Sequence, residues 1–179
     1  MDETRGPYHS FGNGSAMRVS AVAYVARSSG DALELAAQSA AVTHNHPKGI
    51  EGAQAIALAT FLARQGADKD GILRAVTDHT SYDLAFDLDD IRQTYTFDAT
   101  CQGSVPQTLV AFREGVDFED TLRRAISIGG DSDTVACMAG AIAGPFHGVP
   151  QGINHDVRAR LDERLNGVLS LFDQKFIDR

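Results

Sequence analysis

Small and apolar residues recur along this chain at helical spacing. Leu33, Ala36, Ala37, Ala40, Ala41 and His44 fall at i, i+3, i+4, i+7, i+8 and i+11, one face of a 3.6-residue helix. Ile50, Ala53, Ala57, Phe61 and Leu62 make a second stripe, closed by Gly66. Phe118, Leu122, Ala125, Ile126 and Gly129 make a third behind Asp117, a residue suited to cap a helix start. Leu169, Phe172 and Phe176 supply a fourth.

Between these stripes the breakers set boundaries. Residues 1–14 read as loop, with Gly6-Pro7 and the Asn13-Gly14 turn signal. Ser15 is expected to cap a helix over 16–27 that Ser28-Ser29-Gly30 ends, and Asp31 to cap the next. Pro47-Lys48-Gly49 reads as a break. A helix over 70–76 then leads into a polar Thr77-Asp78-His79-Thr80 loop. Short helices are expected over 88–95 and 106–113, the latter with Pro106 in its first turn and 100–104 as a connection. A charged helix is expected over 154–165. No segment alternates with a period of two and no repeat is visible. The expectation is an all-α, compact multi-helix bundle in one domain spanning residues 1–179.

The stretch Ile128-Gly129-Gly130-Asp131-Ser132-Asp133-Thr134-Val135-Ala136 stands apart. Two glycines free the backbone, and two aspartates and a threonine then open a run of small residues that includes Ala139, Gly140, Ala141, Ala143 and Gly144. This predicts a buried central helix whose N-terminal mouth carries hard oxygen donors of the kind Mg²⁺ prefers. The same residues also suit plain capping. Asp131 is a good N-cap, and Asp133 complements the helix dipole.

A second candidate is Ser10-Phe11-Gly12-Asn13-Gly14-Ser15-Ala16-Met17-Arg18, a glycine loop just before a helix start, where backbone N–H groups form a natural anion site. Asn-Gly between polar residues also reads as a simple turn. Thr43-His44-Asn45-His46-Pro47 ends the first stripe, where a histidine suits a helix end.

Bulk composition narrows the partners. The chain has 179 residues, is 43% hydrophobic and 22% charged, and carries a net charge of −8. Its cations are scattered without a basic stripe, which argues against nucleic acid or an anionic membrane surface. Cys101 and Cys137 match no zinc or redox spacing, and each is expected as a small buried hydrophobe rather than a disulfide partner. The first twenty residues lack the apolar core of a signal peptide and no run is long enough to span a membrane, so a cytoplasmic protein is expected. His147 and His155 read as surface or helix-end residues.

Gly-Gly-Asp-Ser-Asp-Thr followed by Gly140-Ala141-Ile142-Ala143-Gly144 resembles the C-terminal metal motif of the ADP-ribosylglycohydrolase family, which includes the dinitrogenase reductase-activating glycohydrolases. The likeness extends to the glycine loop, to His44 and to Thr100-Cys101-Gln102-Gly103-Ser104-Val105-Pro106-Gln107, and runs over residues 8–148. It implies a Mg²⁺-dependent hydrolase, with Mn²⁺ as a substitute, that removes ADP-ribose from a modified protein side chain or small molecule. It implies metal ligation by Asp131, Asp133 and Thr134. It assigns the diphosphate and ribose of ADP-ribose to Ser10, Phe11, Gly12, Asn13 and Gly14, with Met17 nearby and His44 on the diphosphate side. His46, before proline, is expected to shape the turn. The Thr100 segment is given no chemistry.

Two departures from the family pattern matter. Family members carry an earlier segment with Gly-Asp, a glutamate and a Thr-Asp-Asp-Thr motif, which completes a two-metal site and supplies the general base. None of it matches here, so the expectation is a family domain truncated at its N-terminus, needing a partner polypeptide for that segment. Thr77-Asp78-His79-Thr80 is no replacement, because it follows the glycine loop. Pro145 stands where members continue the helix, and is expected to end or kink it early. The alternatives are an inactive binder of ADP-ribose or nucleotide, a structural protein like the lens crystallins of the family, and a truncated gene model.

Overall fold

The structure, a computed structural model, describes residues 7–177. The first six residues of the expected N-terminal loop lie outside the described part. Eleven helices make up the described residues: α1 (Gly14–Met17), α2 (Ser20–Val25), α3 (Ser29–Ala41), α4 (Pro47–Arg64), α5 (Lys69–His79), α6 (Leu88–Ile91), α7 (Cys101–Glu114), α8 (Phe118–Ser127), α9 (Ser132–His147), α10 (Gln151–Arg160) and α11 (Glu163–Phe176). Among the described residues the only β pairing is an isolated antiparallel bridge between Gly12 and Thr100. The all-α expectation agrees with this architecture.

The axis of the bundle is α4, not the helix after Asp131. Eleven of its 18 residues are buried, on all sides of the helix. A helix apolar all round belongs inside a protein, and α1, α2, α3, α5, α7 and α9 all pack on this one. Seven of those eleven are glycine or alanine, so neighbours approach its backbone closely. At Gly52 an added Cβ would collide with the Cys101 side chain. By contrast, α9 buries one face, with Thr134, Val135, Met138, Ala139, Ile142 and Ala143 inward. Cys137 on its other face is exposed, against expectation, and Cys101 is buried as expected.

Several boundaries differ from the sequence reading, each for a local reason. Pro47 starts α4 instead of breaking the chain, because His46 caps it by accepting from Lys48 N at 3.1 Å. Ser28, not Asp31, caps α3. The predicted 16–27 helix is interrupted at Arg18-Val19, and Ser15 lies inside α1, where its Oγ donates to Gly49 O at 2.8 Å instead of capping. Residues 77–79 are the last turn of α5, not a loop.

Thr100 caps α7 by accepting from Gly103 N at 3.0 Å, so that helix starts early and Pro106 sits inside it, beyond the first turn. The 88–95 helix stops at Ile91. Ile126 is 54% exposed, off the buried face of α8. Asp162 caps α11 and splits the expected 154–165 helix in two. Pro145 neither ends nor shortens α9, which runs to His147. The Gly148 N–H closes the last turn on Gly144 O at 2.9 Å, and Gly148 leaves the helix at φ 80°.

Candidate functional site

The turn between α8 and α9 aims Asp131. Gly129 and Gly130 take φ of 74° and 66°, the left-handed region that glycine enters freely. A Cβ on Gly130 would stand 2.5 Å from Tyr95 Cε1 and 3.0 Å from Thr96 O, so the chain passes close against the segment between α6 and α7. Asp131 occupies the N-cap position of α9, yet its side chain makes no capping bond. Its Oδ2 instead accepts from Asn13 Nδ2 at 2.7 Å. The plain capping role is therefore not the one Asp131 performs.

The glycine loop is held from behind. Asn13 N donates to Ala99 O at 2.7 Å and Cys101 N to Phe11 O at 3.0 Å, around the Gly12–Thr100 bridge. Cys101 Sγ donates to Gly12 O at 3.2 Å. Burial pushes the Cys101 thiol up to about 11, so it stays a neutral donor. The Thr100 segment, given no chemistry from sequence, thus backs the loop. On the other side a Cβ on Gly49 would meet Ser10 O at 2.7 Å, so α4 begins against the loop as only glycine allows.

The expected site residues differ in burial and in partners. Asn13 is 6% exposed and joined to Asp131. Thr134 is buried, and its hydroxyl donates weakly to Met17 Sδ at 3.7 Å, so α1 and the mouth of α9 meet a second time. His44 is 6% exposed with Nε2 toward the loop: a Cβ on Gly14 would stand 3.4 Å from it and one on Gly12 3.7 Å. Ser10 Oγ accepts from Gly12 N at 3.1 Å and so shapes the loop. Phe11 is about half exposed, its ring 5.3 Å from that of His46. Asp133 is exposed, with Oδ1 accepting from Thr134 N at 2.9 Å.

Asp131, Asp133 and Thr134 suit a hard cation in donor chemistry. Asp131 Oδ1 and Asp133 Oδ2 carry no protein hydrogen bond among the described residues, while the Thr134 hydroxyl is turned to sulfur. Among the described residues no group of three or more His, Cys, Asp or Glu stands together as a metal site. The set fits part of a Mg²⁺ shell, with water left to fill the rest. Burial, then the charges of Asp98 and Asp131, push the nearby Tyr95 phenol up to about 12, so it stays protonated and its hydroxyl donates to Gly103 O at 2.8 Å.

Tyr95 went unnoticed in the sequence, as did Arg18 and Thr43, which line up behind His44. The Met17-Arg18 pair closing the glycine-loop motif was the one available signal for Arg18. A cavity of about 700 Å³ opens elsewhere, at the C-terminal end of α9 against α10 and α11, and no expected site residue lines it. Its charges are spent internally. Arg158 pairs with Asp173, and Arg64 lies 4.3 Å over the Tyr24 ring and donates to Ala23 O.

Comparison with known proteins gives the chain its relatives. ADP-ribosylhydrolase ARH3 of Mus musculus is 29% identical over 187 aligned residues, covering 79% of this chain and 50% of that protein. ADP-ribosylarginine hydrolase Tri1 of Pseudomonas putida (strain GB-1) is 32% identical over 145 residues, covering 77% of this chain and 39% of that protein. A solved structure described as an ADP-ribosylglycohydrolase-related protein complex superposes with a TM-score of 0.66 at 28% identity, covering 82% of this chain and 54% of its own. The chain spans about half the length of the curated relatives it matches. The ADP-ribosylglycohydrolase family model matches residues 1–177, so the chain belongs to the ADP-ribosylglycohydrolase family.

Proposed function

We propose that this chain is the ADP-ribose- and metal-binding portion of a Mg²⁺-dependent ADP-ribosylglycohydrolase that removes ADP-ribose from a modified protein side chain or small molecule. The observation that carries this is the Asn13–Asp131 hydrogen bond. It brings the glycine loop and the acidic mouth of α9 to one place although 118 positions separate them in the chain. The names of the relatives, hydrolases of ADP-ribosylated groups, support the substrate class.

In this reading the loop residues Ser10, Phe11, Gly12, Asn13 and Gly14, with His44, hold the diphosphate and ribose. Met17 packs beside Thr134, and Asp131, Asp133 and Thr134 hold Mg²⁺, with Mn²⁺ as a substitute. The ion supplies Lewis-acid polarisation at the ribose when bound. A polypeptide segment outside these 179 residues supplies the remaining metal ligands and the general base. Free Cys101 and Cys137 suit a reducing compartment, the cytoplasm.

The test is release of ADP-ribose from an ADP-ribosylated protein in Mg²⁺, with and without a family N-terminal segment supplied in trans. Turnover with the segment, abolished by EDTA, supports the reading; no turnover under any of these conditions overturns it. A second reading, a binder of ADP-ribose without catalysis, is favoured by the incomplete acidic ligand set among the described residues. It predicts Mg²⁺-dependent ADP-ribose binding with no turnover in either assay.

A further inference from the structure

A chain of hydrogen bonds ends at the glycine loop. Arg18 Nη2 donates to Thr43 Oγ1 at 2.7 Å and to Ser39 O at 3.3 Å, and Thr43 Oγ1 lies 2.6 Å from His44 Nδ1. A guanidinium has donors only, so the Thr43 oxygen accepts from Arg18. Among the described residues the hydroxyl hydrogen then has one acceptor in reach, Nδ1 of His44. A neutral imidazole carries one proton; with Nδ1 accepting, that proton sits on Nε2. Nε2 has no partner among the described residues and faces Gly12 and Gly14, on a side chain 94% withdrawn from solvent (6% exposed).

We propose that Arg18 and Thr43 are positioning residues that lock His44 as its Nε2–H tautomer, presenting a neutral N–H donor to an oxyanion of the ligand held by the glycine loop. The inference rests on the reading of that loop as the diphosphate cradle. Arg18 polarises the hydroxyl it donates to, which strengthens the next bond in the chain. Separately, burial and then the Arg18 charge hold the His44 ring below its ordinary basicity, so at neutral pH it serves as a donor without charge. A buried neutral N–H discriminates by direction: it binds an oxygen where the loop places one and gains nothing from an anion elsewhere.

The experiment is long-range ¹H–¹⁵N correlation on ¹⁵N-histidine-labelled full chain, followed by titration of ADP-ribose into the same samples. The expected spectrum of the free protein shows His44 protonated on Nε2 and bare on Nδ1. Thr43→Val removes the hydroxyl at nearly constant shape; it should mix the two tautomers and weaken ADP-ribose about tenfold. Thr43→Ser, which keeps the hydroxyl, should restore both readouts. A proton found on Nδ1 in the unmodified chain overturns the proposal, and that measurement stands even where Thr43→Val fails to fold. An Nε2–H tautomer that Thr43→Val leaves untouched overturns it too. The expected tautomer pattern in a chain that never binds ADP-ribose supports the Arg18–Thr43 lock and fails the cradle reading instead.

Discussion

Asn13 Nδ2 donates to Asp131 Oδ2 at 2.7 Å, a bond between the turn that opens α1 and the turn that opens α9. Both partners are side chains with local alternatives. Asn13 occupies the N-cap position of α1 and Asp131 that of α9, and neither caps its own helix. Each spends its side chain on the other, so the two halves of the candidate site are tied before any ligand arrives.

Asn13→Asp tests that tie. The substitution removes the donor and sets a second carboxylate against Asp131, in a position only 6% exposed. Loss of a buried hydrogen bond to a charged group, plus like-charge contact, costs about 2–4 kcal/mol. A drop in the urea midpoint checks it. Addition of Mg²⁺ should recover part of the loss, since a divalent ion between two carboxylates relieves their repulsion.

The glycine pair before α9 gives a sharper contrast. Gly129 and Gly130 both hold positive φ, but a Cβ on Gly129 meets nothing within 4 Å, whereas one on Gly130 strikes the Tyr95 ring at 2.5 Å. Gly129→Ala should cost about 1 kcal/mol of backbone strain, and Gly130→Ala about 2–4 kcal/mol with the steric clash added. Thermal melts of the two variants side by side would show it. Equal losses would mean that Tyr95 moves aside freely.

Stability should also depend on pH through two histidines. Burial, then Arg18, lowers the pKa of His44; burial, then Lys69, lowers that of His147, with Asp117 opposing. A group whose folded pKa is depressed binds fewer protons folded than unfolded, so stability rises with pH across its range. The contribution is complete above the ordinary value of 6.5 and is lost as pH falls through the depressed values. Glu51 and Asp120, also lowered, add a separate loss at more acidic pH. Denaturant titrations from pH 8 to pH 5 should show a plateau and then a decline. His44→Gln should remove part of that decline.

Much of this was legible in the sequence wherever the information is local. The Leu33–Ala36–Ala40 stripe and the Asp117 cap depend on neighbours within a turn or two; α8 starts where it was expected, and α3 carries its stripe although it starts at Ser29, ahead of the expected Asp31 cap. The aspartates of Asp131-Ser132-Asp133-Thr134 were also visible as a cluster of hard oxygens. What escaped was set mostly by distant partners, with Pro47 the local exception. The central place of α4 follows from six other helices packing around it; the Ile50–Ala53–Ala57–Phe61 stripe marked one buried face, and the burial of the other sides depends on those partners. Pro47 looked like a breaker because only the His46 side chain, folded onto Lys48 N, turns it into a first-turn proline. The role of Asp131 was ambiguous because the residue that decides against capping, Asn13, lies 118 positions away in the chain.

Withholding Mg²⁺ tests the metal role proposed for Asp131 apart from its hydrogen bond to Asn13. In calorimetric titration, ADP-ribose should bind with Mg²⁺ present and bind more weakly after EDTA, because a partial shell of protein oxygens leaves the ion to bridge ligand and protein. Asp131→Ala should erase the Mg²⁺-dependent increment. It should leave the helical far-UV signal unchanged, since the carboxylate makes no capping bond that α9 would lose. Asp131→Asn gives the internal control. It keeps an acceptor for Asn13 Nδ2 but lowers the charge offered to a cation, so it should preserve the loop and still lose most of the metal effect. ADP-ribose binding that is equally strong with Mg²⁺, with EDTA and in both variants would mean that Asp131 serves only to hold Asn13, and the acidic mouth of α9 would then be architecture rather than a metal site.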